Sequence, residues 1–256
     1  ALGLEPGLQG KRVVVQGLGN VGYHAAKFLQ EGGALITGLA EREGAIHDAR
    51  GLDIDRVVQH RTETGSILDF PGATNIPITT DALEIDCDIL VPAALESQIT
   101  AKNVDRIRAR IIAEAANGPV TADASESLLA RGVLLIPDLY LNAGGVTVSY
   151  FEWVKNLSHV RFGRMGKRFE EASNERILHA VQSLTGRSFD PTVFSGLAAG
   201  PGEADLVSSG LEDTMVNAYH EMREQKLKYR VDLRSATYVI AIEKVARAYL
   251  ERGIFP

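Results

Sequence analysis

The ten residues VVVQGLGNVG, Val13 to Gly22, constrain this chain more than any other stretch. Three consecutive valines make a short β-branched run suited to a strand buried on both faces. A glycine turn follows at once, Gly17-x-Gly19-x-x-Gly22, and opens into a helical segment whose apolar side reads as Val21, Ala25, Phe28 and Leu29. Strand, glycine turn and helix in that order form a dinucleotide-binding unit. The first glycine permits the tight turn, the second lets backbone approach a pyrophosphate, and the third lets helix and strand pack closely. Asn20 and Val21 then open the helix, where N–H groups face the phosphates and Asn20 helps to shape the loop.

A second strand-like run, Ala34 to Leu39, ends in Ala40-Glu41-Arg42. The fold sets an acidic residue at this strand end, on the ribose hydroxyls of the adenosine. Glu41 lies a little beyond the usual offset of about 20 residues, which a longer helix and loop explain. Its carboxylate would repel a 2′-phosphate, so NAD is expected over NADP. Arg42 pulls the other way, because a guanidinium there could hold that phosphate. The alternative reading makes both residues solvated loop charges.

Composition excludes several classes. A net charge of −6 over 256 residues argues against a nucleic-acid or anionic-membrane partner. No apolar run approaches the roughly 20 residues of a membrane-spanning helix, and no signal-peptide pattern opens the chain. The single cysteine, Cys87, cannot form an internal disulfide and fits a reducing, cytoplasmic setting as a half-buried structural thiol. The six histidines lack paired metal-ligand spacing, so no metal site is expected.

Strands at Asp88–Val91, Arg110–Ala113 and Val133–Ile136, with a helix from about Thr121 through Leu129, continue the alternation. The fold class is α/β, a Rossmann-like doubly wound and mostly parallel sheet with helices on both faces and a helical carboxy-terminal extension. Between Gly44 and Pro77 lies a polar insertion with one helix, Asp53–Glu63. Beyond Asn142, helices are predicted at about Val146–Lys155, Arg168–Leu184 and Leu211–Lys228, with a glycine- and proline-bearing mobile loop over Gly186–Gly202. The last helix, Leu233–Arg252, carries Tyr238, Ile242, Val245 and Tyr249 along one stripe. Residues 1–230 are read as the dinucleotide-binding domain and 231–256 as a separate carboxy-terminal helix.

Several stretches together resemble the glutamate, leucine, phenylalanine and valine dehydrogenases. They are VVVQGLGNVG, GLDIDRVVQHRTETGSILDFPGA, VPAALESQI, AEAANGPVT, PDLYLNAGGVTVSYFEWVKN and VDLRSATYVIAIEKVARAYLERG. The likeness runs from Lys11 to about Lys155 and resumes at Val231. The GLDI…ETGS…FPGA block and the TVSYFEW run look like the glutamate branch.

The resemblance implies roles for residues that are otherwise ambiguous. Asn142, in Asn142-Ala143-Gly144-Gly145, would meet the nicotinamide carboxamide, and an amide can both donate to and accept from another. Without the resemblance it reads as a helix cap. Asn117, otherwise a turn residue in Asn117-Gly118-Pro119, would lie near the nicotinamide ribose. Ala93 and Ala94, at a strand's carboxyl end, would leave room for the ribose or adenosine. Ser149 would hydrogen-bond the distal carboxylate of the substrate.

The resemblance further implies interconversion of L-glutamate and 2-oxoglutarate by hydride transfer to nicotinamide, and assembly as a homo-oligomer, hexameric in the family. The catalytic lysine and aspartate of that family lie on an amino-terminal domain with no counterpart here. Lys11, Lys27 and Lys155 do not match it, so no catalytic residue is assigned. The Tyr238–Tyr249 stripe is expected to cover that absent domain or another chain. Two alternatives stay open: a non-catalytic dinucleotide-binding regulatory subunit, and a dehydrogenase of branched-chain or aromatic amino acids.

Overall fold

The computed structural model describes residues 3–157, 162–200 and 202–253. Strand β1 (Arg12–Gln16) leads through helix α1 (Asn20–Glu31) into β2 (Leu35–Glu41), and a two-residue turn returns the chain as β3 (Gly44–His47). Then come α2 (Ile54–Thr64), β4 (Thr74–Ile76), β5 (Ile89–Pro92), β6 (Ile111–Ala113), α3 (Ala122–Ala130) and β7 (Leu134–Ile136). Short 3-10 turns at Thr79–Glu84 and Val104–Arg106 stand among the crossovers. The rest is helical: α4 (Asp138–Leu141), α5 (Ala143–Leu157), α6 (Phe162–Thr185), α7 (Pro191–Ala199), α8 (Glu203–Tyr229) and α9 (Leu233–Arg252).

The sheet order is β4-β3-β2-β1-β5-β6-β7. The run β2-β1-β5-β6-β7 is parallel, and β3 and β4 close one edge antiparallel. The mostly parallel α/β sheet read from the sequence is therefore the observed one. Alternation along β1 explains why three valines stand in a row. Val13 and Val15 face a core shared with Ala26 of α1 and Val57 of α2, whereas Val14 faces a second core with Leu90, Ile112 and Leu128. All three valines are fully buried, each adding roughly 1.5–3 kcal/mol of hydrophobic stabilisation.

Three details differ from the sequence reading. Helix α1 packs Ala25 and Leu29 of the expected stripe against the core, but buries Gly22 and Ala26 most deeply and leaves Val21 and Phe28 exposed. Because Gly22 carries no side chain, the helix backbone itself sits against the strand, and that contact sets its rotation. The insertion 44–77 holds two strands besides its helix, since β3 and β4 are short and the Arg42-Glu43 turn lacks the Asn-Gly signature of two-residue hairpins. The expected loop over Gly186–Gly202 contains α7, whose Asp190 side chain accepts from Thr192 N–H and whose first residue is Pro191; Pro201 lies outside the described residues. The chain forms two compact units, Ala1–Ala143 with Tyr219–Pro256, and Gly144–Ala218. Leu233 and Ala236 at the start of α9 are buried with Met222 of α8, beside Leu134 of β7.

Within the second unit, α6 and α7 are joined by rings, with His179 and Phe194 centroids 5.0 Å apart, and Asn174 Nδ2 donates to the Ala198 carbonyl at 3.4 Å. Among the described residues, no helix is long and apolar enough to cross a membrane.

Cys87, expected half-buried, is 1% exposed in the core beside Val14 and Leu90. Burial pushes its thiol pKa up to about 12. The thiolate is the reactive form, so at pH 8 native Cys87 is expected to resist alkylation by iodoacetamide and to react once the chain is unfolded in urea. Rapid labelling of the folded chain would contradict this packing.

Candidate functional site

The glycine turn lies at the carboxyl ends of the parallel strands, where sheet order reverses between β1 and β5. That is the crevice in which open α/β sheets bind ligands. Gly17 has φ +95°, and a Cβ there would lie 2.8 Å from the Ala93 carbonyl oxygen and 3.2 Å from the Ala94 methyl. Gly17 and Ala93-Ala94, read separately from the sequence, thus meet in a close approach between the ends of β1 and β5. A Cβ on Gly22 would come within 1.9 Å of the Gly17 carbonyl oxygen. Gly19 differs: its φ is −78° and a Cβ would meet no protein atom within 4 Å. Neither a positive φ nor a packed neighbour calls for glycine at this position, and the space beside it is open.

Gly19 is the N-cap of α1, and no side chain caps the helix. The first helical hydrogen bond runs from Tyr23 N–H to the Gly19 carbonyl at 2.9 Å. Asn20, Val21 and Gly22 occupy the first turn, where N–H groups and the helix dipole favour an anion. Asn20 and Val21 are exposed there. The fit to a pyrophosphate is good: an uncapped helix start, and open space beside the one glycine that packing does not require.

Glu41 ends β2 beside this turn, as expected, but its carboxylate is already engaged. One oxygen accepts from Leu18 N–H. The other lies 3.3 Å from the Arg61 guanidinium and accepts from Arg42 N–H, also at 3.3 Å. Arg61 donates in turn to the Leu18 carbonyl at 3.1 Å. Leu18 is therefore held at both its N–H and its C=O, fixing the turn between Gly17 and Gly19. Arg61, on α2, escaped the sequence reading because it looks like one more surface charge on a polar helix. The Arg42 side chain is exposed.

At the other end of the crevice, the structure joins two residues read separately. Asn142 Nδ2 donates to Asn117 Oδ1 at 2.6 Å. Asn117 is exposed and Asn142 half-buried. Asp138 holds both: its Oδ2 accepts from Gly118 N–H at 2.8 Å, and its backbone carbonyl accepts from Asn142 N–H at 3.0 Å. Behind Asp138 stands Glu114, with no exposed surface. Glu114 accepts from Asp138 N–H at 3.0 Å and from Arg234 Nη2 at 2.6 Å, while Arg234 Nη1 reaches Asp138 Oδ1 at 3.3 Å. Burial raises the Glu114 pKa above the ordinary carboxylate value, against the pull of Arg234.

Ser149 belongs to the second unit. It is exposed, and its hydroxyl donates to the Gly145 carbonyl one turn earlier at 3.1 Å, within α5. The side chain of Lys155 lies outside the described residues.

Comparison with known proteins accords with this geometry. The family model for glutamate/leucine/phenylalanine/valine dehydrogenase matches residues 2–192. The mitochondrial glutamate dehydrogenase of Dictyostelium discoideum is 51% identical over 98% of this chain and 50% of its own length. The cryptic catabolic NAD-specific glutamate dehydrogenase of Bacillus subtilis is 37% identical over 96% of this chain and 48% of its own. Among solved structures, the hetero-hexameric glutamate dehydrogenase of Thermus thermophilus superposes with a TM-score of 0.73 at 25% identity, over 99% of this chain and 50% of that one. The chain spans about half the length of the curated relatives it matches. By its glycine turn, its strand order and this likeness, the chain belongs to the glutamate, leucine, phenylalanine and valine dehydrogenase family.

Proposed function

We propose that this chain is the NAD-binding domain of a glutamate dehydrogenase whose complete form interconverts L-glutamate and 2-oxoglutarate with release or uptake of ammonia. The observation that carries the reading is the Gly17–Gly22 turn, with open space at Gly19 beside an uncapped helix start. The glutamate branch is favoured by relatives of that name, at up to 51% identity. When bound, NAD supplies the hydride acceptor. This chain's residues hold it: Gly17 to Gly22 take the pyrophosphate, Glu41 faces the ribose end, and the small side chains of Ala93-Ala94 leave room for the ribose or adenosine. The Asn117–Asn142 pair orients the nicotinamide, and Ser149 is the candidate contact for the substrate's distal carboxylate. No residue of this chain is assigned to proton transfer.

Homo-oligomerisation is part of the same reading. The distal stripe of α9 supports it, with Tyr238, Ile242, Val245 and Tyr249 all about half or more exposed. Such a stripe fits a further domain or a neighbouring subunit. A reducing compartment such as the cytoplasm suits the lone buried thiol, although the Dictyostelium relative is named as mitochondrial.

NAD preference is tested by calorimetric titration with NAD and NADP, in the parent chain and in Glu41→Gln. Glutamine keeps an acceptor for Leu18 N–H and removes the charge, so the turn stays shaped while repulsion of a 2′-phosphate is lost. The parent is expected to bind NAD more tightly than NADP, and the variant to narrow that gap about tenfold. Equal affinities in the parent would overturn NAD preference and shift attention to Arg61 and Arg42. Binding of neither nucleotide would overturn the cofactor reading itself.

A further inference from the structure

Resting on the dinucleotide reading above, we infer that Arg234, at the start of the carboxy-terminal helix, is a positioning residue for the nicotinamide end of the site, acting through Glu114 and Asp138 on the Asn117–Asn142 pair. The two asparagines are 25 residues apart in sequence and meet at 2.6 Å. Both are tied to Asp138. Its side chain takes the N–H of Gly118, which has φ +55°, and so fixes the turn that carries Asn117. Its carbonyl takes the N–H of Asn142 and so fixes the single helical turn that carries that residue. A shift of Asp138 therefore moves both amides at once.

Asp138 Oδ1 accepts from the next residue, Leu139 N–H, at 2.8 Å, a contact within its own turn, so its placement against the sheet comes from elsewhere. Its own N–H is held by Glu114, and one carboxylate oxygen by Arg234. Arg234 spans the two acids with its two terminal nitrogens, reaching 96 and 120 residues back along the chain. Lysine has one nitrogen and cannot reproduce that fork. A completely buried carboxylate is a poor device for stability, because well-packed apolar residues serve as well or better. It is a good device for fixing a backbone N–H and a guanidinium in one geometry. Arg234 is itself anchored: Asp232 caps α9 by accepting from Ser235 N–H at 3.0 Å, and Leu233 and Ala236 on either side are buried. The helix end thus sets the spacing of the amide pair without touching the ligand.

The test separates the two ends of the cofactor. NADH carries the nicotinamide, and ADP-ribose carries everything but. Affinities for both are measured on the parent chain, Arg234→Met, Arg234→Lys and the double variant Glu114→Gln/Arg234→Met, together with the fluorescence change of bound NADH. The double variant removes the buried charge, and so keeps the test open where the single variant does not fold. Arg234→Met is expected to weaken NADH about tenfold and to lose its fluorescence change, with ADP-ribose affinity unchanged within about twofold. Arg234→Lys is expected to recover part of both signals.

Equal losses for the two ligands would reduce Arg234 to a general structural residue and overturn the inference. An undiminished NADH advantage in the Met variants would also overturn it, leaving the dinucleotide reading intact. A parent chain that binds neither ligand would sink that reading and the inference together.

Discussion

Gly22→Ala is expected to abolish measurable dinucleotide binding and to destabilise the chain, whereas Gly19→Ala is expected to impair chiefly binding. The contrast follows from what a methyl group would meet. At Gly22 it would lie 1.9 Å from the Gly17 carbonyl oxygen, a backbone atom that no side-chain rotation can move. Helix α1 would have to back away from β1, opening the core between Ala26 and Val13 or Val15. Overpacking of this kind costs about 1–3 kcal/mol, and the upper end applies where both partners are backbone. The same displacement would carry the N–H groups of the first helical turn away from the phosphates, so binding falls by at least about a hundredfold.

At Gly19 the methyl would enter open space at an ordinary φ, and stability should fall by no more than about 1 kcal/mol, the preference for glycine over alanine at an N-cap. A loss of NAD affinity there means that ligand fills that space. Urea unfolding and calorimetric titration of the two variants decide the matter. Unchanged binding in Gly19→Ala would refute pyrophosphate approach at this glycine.

Local features account for what the sequence discloses. β1, the glycine turn and α1 are contiguous, so their residue types and spacing declare the unit within a few positions. The same holds for α2, where the Asp53 side chain caps the first turn and Gly65 ends the helix at φ +83°. β5, β6 and β7 were visible as short apolar runs because both their faces are covered. What stayed hidden leaves no mark in residue type or spacing. The rotation of α1 is set by backbone packing at Gly22, which no hydrophobic stripe on the helix reports. The hairpin of β2 and β3 was hidden by a turn with no glycine or asparagine between its strands.

The candidate site divides the same way. Gly17, Gly19 and Gly22 declare themselves by spacing. Asn117 and Asn142 gained roles only through resemblance, and their mutual hydrogen bond is a fact of folding. Glu41 stands where the fold predicts a ribose carboxylate, yet Leu18 and Arg61 share it, which its position in the sequence could not reveal. Glu114 reads in AEAANGPVT as one more polar residue after a strand. Only the return of α9 to β7 makes it the buried end of an ion-paired triad.

Arg234→Ala is expected to cost about 3–5 kcal/mol at pH 8, the range for removing one partner of a buried ion pair, and markedly less at pH 5. Glu114 has no exposed surface, so once Arg234 is gone its charge has no counter-ion and no water. The sign of the pH effect follows from the direction of its pKa. Burial already raises that pKa in the fold, with Arg234 as the main opposing influence and the Asp138 N–H a lesser one, while the Asp138 carboxylate adds to the rise. A carboxyl whose folded pKa exceeds its unfolded value favours folding when protonated, and that contribution is lost as pH climbs from the unfolded value through the folded one. Removing Arg234 drives the folded pKa further up and widens this window, so the variant's deficit must grow with pH. In the variant, Glu114→Gln should recover stability at pH 8 and little at pH 5, because glutamine mimics the protonated acid. Urea unfolding at the two pH values measures each quantity. A deficit that is small or independent of pH would mean that Glu114 is not held in the fold as a buried, paired carboxylate, and the coupling of α9 to Asp138 would lose its physical basis.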